Sequence, residues 1–173
     1  MNFSTSYDTT TKFTTPIALV VMISGLVTLL LIHIDGYNIY NYIMAGVLFL
    51  TIILSIAFAP KSYDVDDGVL YINRLLMPPI PIKISDITAV KPVTRQELKG
   101  SIRLFGSGAF LGYYGIFSSK ALGRMNWYAT NLNNAVLIKT SNGKKHLLTP
   151  DERDAFMQLF TSTQNERWHD SFK

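Results

Sequence analysis

Between Lys12 and Asp35 the chain runs for 22 residues without a formal charge, and between Asp35 and Lys61 for another 25. As helices these runs reach about 33 and 37 Å, against a hydrocarbon core of about 30 Å, so each is long enough to cross a bilayer. A soluble helix keeps a polar face, whereas Leu19 to Leu31 and Met44 to Ala59 are apolar on every side. The link Asp35-Gly36-Tyr37-Asn38 leaves room only for a tight helical hairpin that returns the chain to its starting side. Tyr37, Tyr40 and Tyr42 cluster where the second run meets water, as amphipathic rings do at an interface. Residues 13–60 are therefore read as a transmembrane helical hairpin, with residues 1–12 (NFSTSYDTTTK after Met1) as a disordered polar tail.

What remains is about 110 residues, enough for one small domain. From Lys61 onward the chain carries 15 Lys and Arg against 10 Asp and Glu, and between Lys83 and Lys145 the balance is 10 against 2. Such a surface suits anionic lipid headgroups or acidic partners, although a scattered basic surface of a soluble domain gives the same count. Lys12 flanks the first span, Lys61 and Arg74 follow the second, and the connecting loop offers only Asp35. The positive-inside rule then predicts a two-pass protein of the cell (inner) membrane with both termini cytoplasmic. Ala57-Phe58-Ala59 imitates a signal-peptidase site, but the run before it exceeds the roughly 7 to 15 residues of a signal core and lacks a basic leader, so retention of the hairpin is expected. The chain has no cysteine, which excludes disulfides and thiolate chemistry.

After Pro60 the pattern changes to short strand-like runs broken by turns. Ser62 to Val65 and Val69 to Leu75 flank Asp66-Asp67-Gly68, whose Asp-Gly pair supplies the positive φ of a tight hairpin. Ile80, Ile82 and Ile84 alternate with Pro81, Lys83 and Ser85, and Pro81 points to an edge strand. Ile87 to Val93 reads as a fourth strand. Met125 to Thr130, Ala135 to Thr140 and Lys144 to Leu148 follow, the last two joined by Asn142-Gly143, and imply an antiparallel meander. Thr149-Pro150-Asp151-Glu152 carries a capping signature with Thr149 as cap, and Phe156, Leu159 and Phe160 form the apolar stripe of a helix that must lie on a sheet. Residues 164–173 read as a frayed tail.

This order of elements resembles the pleckstrin-homology (PH) fold, and the wording resembles bacterial PH-domain proteins with an N-terminal transmembrane hairpin. The residues that carry the resemblance are Tyr63-Asp64-Val65-Asp66-Asp67-Gly68, Gly112-Tyr113-Tyr114-Gly115, Tyr128-Ala129-Thr130-Asn131, and Val136-Leu137-Ile138 through Gly143 to Thr149-Pro150-Asp151. It implies an α+β protein in which the two-helix hairpin precedes a PH-like seven-stranded bent antiparallel sheet with a C-terminal capping helix over residues 61–163. Eukaryotic lipid-binding PH domains grip inositol phosphates with Lys and Arg around the first two strands. Here that loop carries Asp64, Asp66 and Asp67, so this mode of binding is not expected.

Residues 104–119 (LFGSGAFLGYYGIFSS) break the strand rhythm as an uncharged Gly and aromatic insert. Too short and Gly-rich to span, it could dip into the interface or meet a partner with Phe105, Phe110, Leu111, Tyr113, Tyr114, Ile116 and Phe117, flanked by basic Arg103, Lys120 and Arg124. It could equally fold back on its own domain or on the hairpin, or line a small-molecule pocket. Gly106-Ser107-Gly108 followed by Gly112 misses the dinucleotide spacing by one residue. The three histidines, at 33, 146 and 169, have no metal-ligand spacing, and the aspartates at 64, 66 and 67 lack the later ligands of a calcium loop. Neither a nucleophile elbow nor paired catalytic carboxylates are present. The sequence thus predicts a non-catalytic, membrane-anchored binding or assembly module at the cytoplasmic surface, without cofactor, metal or nucleic acid. Its partners would be the lipid bilayer, anionic headgroups, a membrane-protein partner or a second copy. The alternative is an accessory or scaffold subunit of a membrane enzyme or transporter complex that uses the insert as a protein interface.

Overall fold

The computed structural model describes residues 1–31 and 39–160, so the 35–38 link, the 164–173 tail, His33 and His169 lie outside the described residues. The two charge-free runs form helices α1 (Thr9–Leu31) and α2 (Ile39–Phe58), both long and apolar enough to cross a membrane. Ile17, Val20, Val21 and Val27 on one, and Val47, Phe49, Leu50 and Leu54 on the other, all face outward. Thr28 and Thr51 turn their hydroxyls onto the carbonyls of Ser24 and Val47, each at 2.8 Å, so these side chains need no water. The pair fits a transmembrane hairpin.

Among the described residues ten strands form two sheets. The first holds β1 (Asn2–Ser4), β2 (Pro60–Asp66), β3 (Val69–Arg74) and β4 (Ile80–Lys83), antiparallel and in that spatial order. The second contains β5 (Ile87–Pro92), β6 (Ile102–Gly108), β7 (Tyr113–Ser119), β8 (Gly123–Ala129), β9 (Val136–Thr140) and β10 (Lys145–Leu148), in the order β5-β9-β10-β8-β7-β6. A short helix, α3 (Arg95–Leu98), follows β5 and is closed by a capping box between Thr94 and Glu97. Residues 153–160 form the C-terminal helix, α4, to the limit of the described residues.

Several expectations are corrected here. One bent sheet of seven strands becomes two sheets of four and six, because a single 3-10 turn at Ile84–Asp86 redirects the chain after β4 and hands β5 to β9. The antiparallel meander fails at one step: β10 slots between β8 and β9 and runs parallel to β8, pairing His146 with Asn126. The 1–12 tail is ordered, because β1 pairs with β2 and its single large apolar residue, Phe3, packs edge-on against Phe156 at 5.1 Å. The 104–119 insert is not a loop but most of the β6–β7 hairpin, whose glycines obscured the alternation. Thr149 does not cap α4. Its hydroxyl instead accepts from the N–H groups of Thr130 and Asn131 at 2.8 and 3.3 Å, and the first helical bond runs from Phe156 N–H to the Glu152 carbonyl.

The core has two parts. Tyr63, Leu70, Ile72, Val136, Ile138 and Leu148 come from both sheets, and Phe156 and Phe160 of α4 close over them. Beside them Phe117 stacks on Trp127, with ring centroids 4.1 Å apart, above Met125, Leu137 and Leu147. Tyr63 joins the sheets: fully buried, it donates to the Tyr128 carbonyl and accepts from the Thr149 N–H at 3.0 Å. Burial pushes its phenol up to about 12. The raised value favours the protonated form in the fold, so its contribution is complete below pH 10 and disappears as pH rises from about 10 to about 12. Tyr63→Phe is expected to lower stability by about 1–3 kcal/mol at neutral pH, by leaving two buried backbone groups unpaired. The same variant should show a shallower alkaline decline, and thermal unfolding in detergent across pH 8 to about 12 measures both.

Candidate functional site

Chain enters the helical hairpin where α1 begins and leaves it where α2 ends, and both points lie against the sheet domain. Asp8 caps the first. Its Oδ1 accepts from the Thr11 N–H at 2.8 Å, and its carbonyl accepts from the Lys12 N–H at 3.0 Å. Its own N–H donates to the Thr130 carbonyl beyond β8 at 3.1 Å. Oδ2 meets the Arg95 guanidinium of α3 at 3.2 Å and accepts from the Tyr113 hydroxyl at 3.2 Å. At 4% exposure this is a buried carboxylate, tolerable because a helix N-terminus, a guanidinium and a phenol all face it. Burial first, and then the Asp8 charge, raise the Tyr113 hydroxyl above its ordinary value and keep it a donor.

The second point is the end of α2. Its Ala57 carbonyl accepts from the N–H groups of Leu76 and Met77 at 3.3 and 3.2 Å, and the Ala59 carbonyl accepts from Leu75 at 2.9 Å. The link between β3 and β4 therefore satisfies carbonyls that a helix C-terminus leaves open. Arg74, at the start of this link, lies 5.4 Å over the Phe58 ring and donates through Nε to the Pro78 carbonyl at 3.1 Å.

Between the two points comes the tip of the β6–β7 hairpin. The Leu111 N–H donates to Thr15 Oγ1 of α1 at 3.0 Å, and the Tyr114 hydroxyl donates to the Ser55 carbonyl of α2 at 2.6 Å. Burial raises the Tyr114 hydroxyl as well. The approach depends on Gly112, at φ +109°, where a Cβ would stand 2.7 Å from the Ala129 carbonyl oxygen.

The predicted contact residues separate accordingly. Phe110 and Leu111 are half-buried at the tip, Tyr113 and Tyr114 bind the two helices, and Phe117 is interior beside Trp127. Ile116 is half-buried on β7, while Phe105 is 75% exposed on β6, the outermost strand of its sheet, with Ile102 and Leu104 also exposed. Lys120 and Arg124 are exposed near the far end of β7 and β8, about 20 Å along the strands from the tip, whereas exposed Arg103 of β6 folds back so that its guanidinium stands 3.4 Å from where a Cβ on Gly108 would be. The structure thus brings Leu111, Tyr113 and Tyr114 to the helices, leaves Phe110 at the tip with its carbonyl bonded to Ser107, and keeps Lys120 and Arg124 of the basic flank at the far end.

Sequence reasoning missed Asp8, Arg95 and the 75–79 link. The Asp-Thr-Thr-Thr start was a readable cap signal for Asp8, whereas Arg95 has no local signal because its partner lies 87 residues away. His146 is buried against Tyr128, and burial followed by the Lys144 charge lowers its imidazole below the ordinary value. Asp64 accepts from Asn2 and Asn73 within the first sheet, and no group of three or more His, Cys, Asp or Glu suited to a metal occurs among the described residues.

A family model described as a bacterial PH domain matches residues 61–164, more than half of the chain. No curated protein and no solved structure matches it. Asp8→Ala removes the cap of α1 and strands the Tyr113 hydroxyl, and is expected to cost about 2 kcal/mol or more. Asp8→Asn, which can still cap, should fall between wild type and Ala, and thermal unfolding in detergent reports the order.

Proposed function

The chain belongs to the bacterial PH-domain family, and from that we propose that it is a membrane-anchored binding or assembly module working at the cytoplasmic face of the cell membrane, not an enzyme. One observation carries the reading: the sheet domain bonds to the cap Asp8 and to Thr15 near the start of α1 and to the last turn of α2, so it is held at a single end of a hairpin that fits a bilayer. A module tethered in this way meets membrane-borne partners at high effective concentration, and weak contacts are then occupied. PH-like domains are in general non-catalytic binding modules, and the polar strand pairs of Asp64 leave no basic cradle between β2 and β3 for an inositol phosphate. The cytoplasmic assignment rests on Lys12, Lys61 and Arg74 at the domain end against Asp35 in the far link.

A second reading has its own support. Ile102, Leu104 and Phe105 are exposed together on the outer strand β6, as on a strand that pairs with another chain. This favours an accessory or scaffold subunit whose interface is the outer half of the β6–β7 hairpin, with a membrane protein or a second copy as the partner.

After an alkaline carbonate wash of native membranes, the full chain should stay with the vesicle pellet. Release of intact protein into the supernatant would remove the anchor and the reading with it. In the same membranes, a photo-crosslinker placed at Phe105 should yield protein adducts if the scaffold reading holds, and none if the module acts on lipid alone.

A further inference from the structure

The link from Leu75 to Pro79 (Leu-Leu-Met-Pro-Pro) joins β3 to β4 and carries no charge. Leu76 is 68% exposed, Leu75 is 38% exposed, and both prolines are exposed. A solvent-facing loop normally presents backbone N–H groups to water, but this one offers none. The N–H groups of Leu75, Leu76 and Met77 are given to the carbonyls of Ala59 and Ala57, and Pro78 and Pro79 have no N–H to give. An apolar loop with no donor left over meets the donor half of the condition that hydrocarbon imposes on any backbone entering it, and suits the boundary where carbonyls still reach water.

Position agrees with composition. Helix α2 has 20 residues, about 30 Å of rise, so its last turn falls at the edge of the hydrocarbon core. The link is hydrogen-bonded to that turn and cannot sit far from its depth. Arg74, held over Phe58 and tied to the Pro78 carbonyl, carries a fixed positive charge at the mouth of the loop, at the level of lipid phosphates. Exposed Lys61 stands one residue beyond β2's first position, at the same end of the domain.

We propose that the 75–79 loop is a lipid-inserted wedge: Leu75 and Leu76 enter the boundary between acyl chains and headgroups beside α2, Arg74 meets the phosphates, and the domain is thereby fixed against the bilayer. This rests on the membrane-spanning reading of the hairpin and goes beyond it, since a span by itself puts no part of the sheet domain into lipid.

The chain lacks cysteine, so one introduced thiol carries one spin label. Full-length protein is reconstituted in vesicles of phosphatidylethanolamine and phosphatidylglycerol with Leu76→Cys, Leu50→Cys or Asp67→Cys. Collisions of each label with oxygen, which concentrates in lipid, are compared with those of a water-soluble nickel chelate. Leu50, exposed at mid-helix, reads the span, and Asp67, at the far end of β2 about 20 Å from Pro60, reads water. The label at position 76 is expected to favour oxygen over the chelate several-fold relative to the label at 67. If the label at 50 reads lipid while that at 76 reads like 67, the wedge is overturned and the span stands. Shielding of position 76 from both reagents means a protein partner covers it, which also overturns the wedge. A label at 50 that reads water overturns the span, and the wedge falls with it.

Discussion

Every helix end leaves backbone groups unpaired, and when the helix is solvated by hydrocarbon those groups must find partners at its rim. In this chain the sheet domain supplies them at the two ends that face it. Asp8, held by Thr130, Arg95 and Tyr113 of the domain, takes the Thr11 N–H of α1, and the Leu75–Met77 backbone serves the Ala57 carbonyl of α2 and the Ala59 carbonyl just beyond it. The domain and the helices are therefore parts of one hydrogen-bonded construction rather than a globule on a string, and the placement of Tyr113, Tyr114 and Leu111 follows from it.

The same constraint explains how the Gly and aromatic segment is used. Near the tip its residues have partners on the helices, and Gly112 lets the backbone come close enough to reach them. Further out, Gly106 and Gly115 face each other across the hairpin, where a Cβ on either would stand within 2.2 Å of a carbonyl oxygen of the opposite strand. Beyond this crossing Phe117 turns inward to Trp127, while Phe105 and Leu104 turn outward. One uncharged sequence run thus serves docking, core and surface.

Much of this was legible in the sequence, for definite reasons. Charge-free length announces α1 and α2, and period-two alternation with Asp-Gly and Asn-Gly turns announces β2 to β5, β9 and β10. The Phe156, Leu159 and Phe160 stripe announces α4, with Phe156 and Phe160 buried as it required. What stayed hidden depends on partners far along the chain. A single Phe3 has no period, glycines erase the alternation of β6 and β7, and the insertion of β10 between β8 and β9 is decided by which strand buries Leu147. At the junction, Asp8 to Arg95 and Asp8 to Tyr113 are contacts that no local pattern encodes.

The short β1 strand bears on the order in which the molecule is assembled. Its partners are Ser62 to Asp64, and the next residues bind Thr130 and Asp151, so a segment that precedes the hairpin bonds to three segments that follow it. The strand stays unpaired until the hairpin and β2 have been synthesised, and the bonds to Thr130 and Asp151 wait for most of the sheet. Closing this seam is a late step of biogenesis, and loss of β1 or of Asp151 opens the same joint.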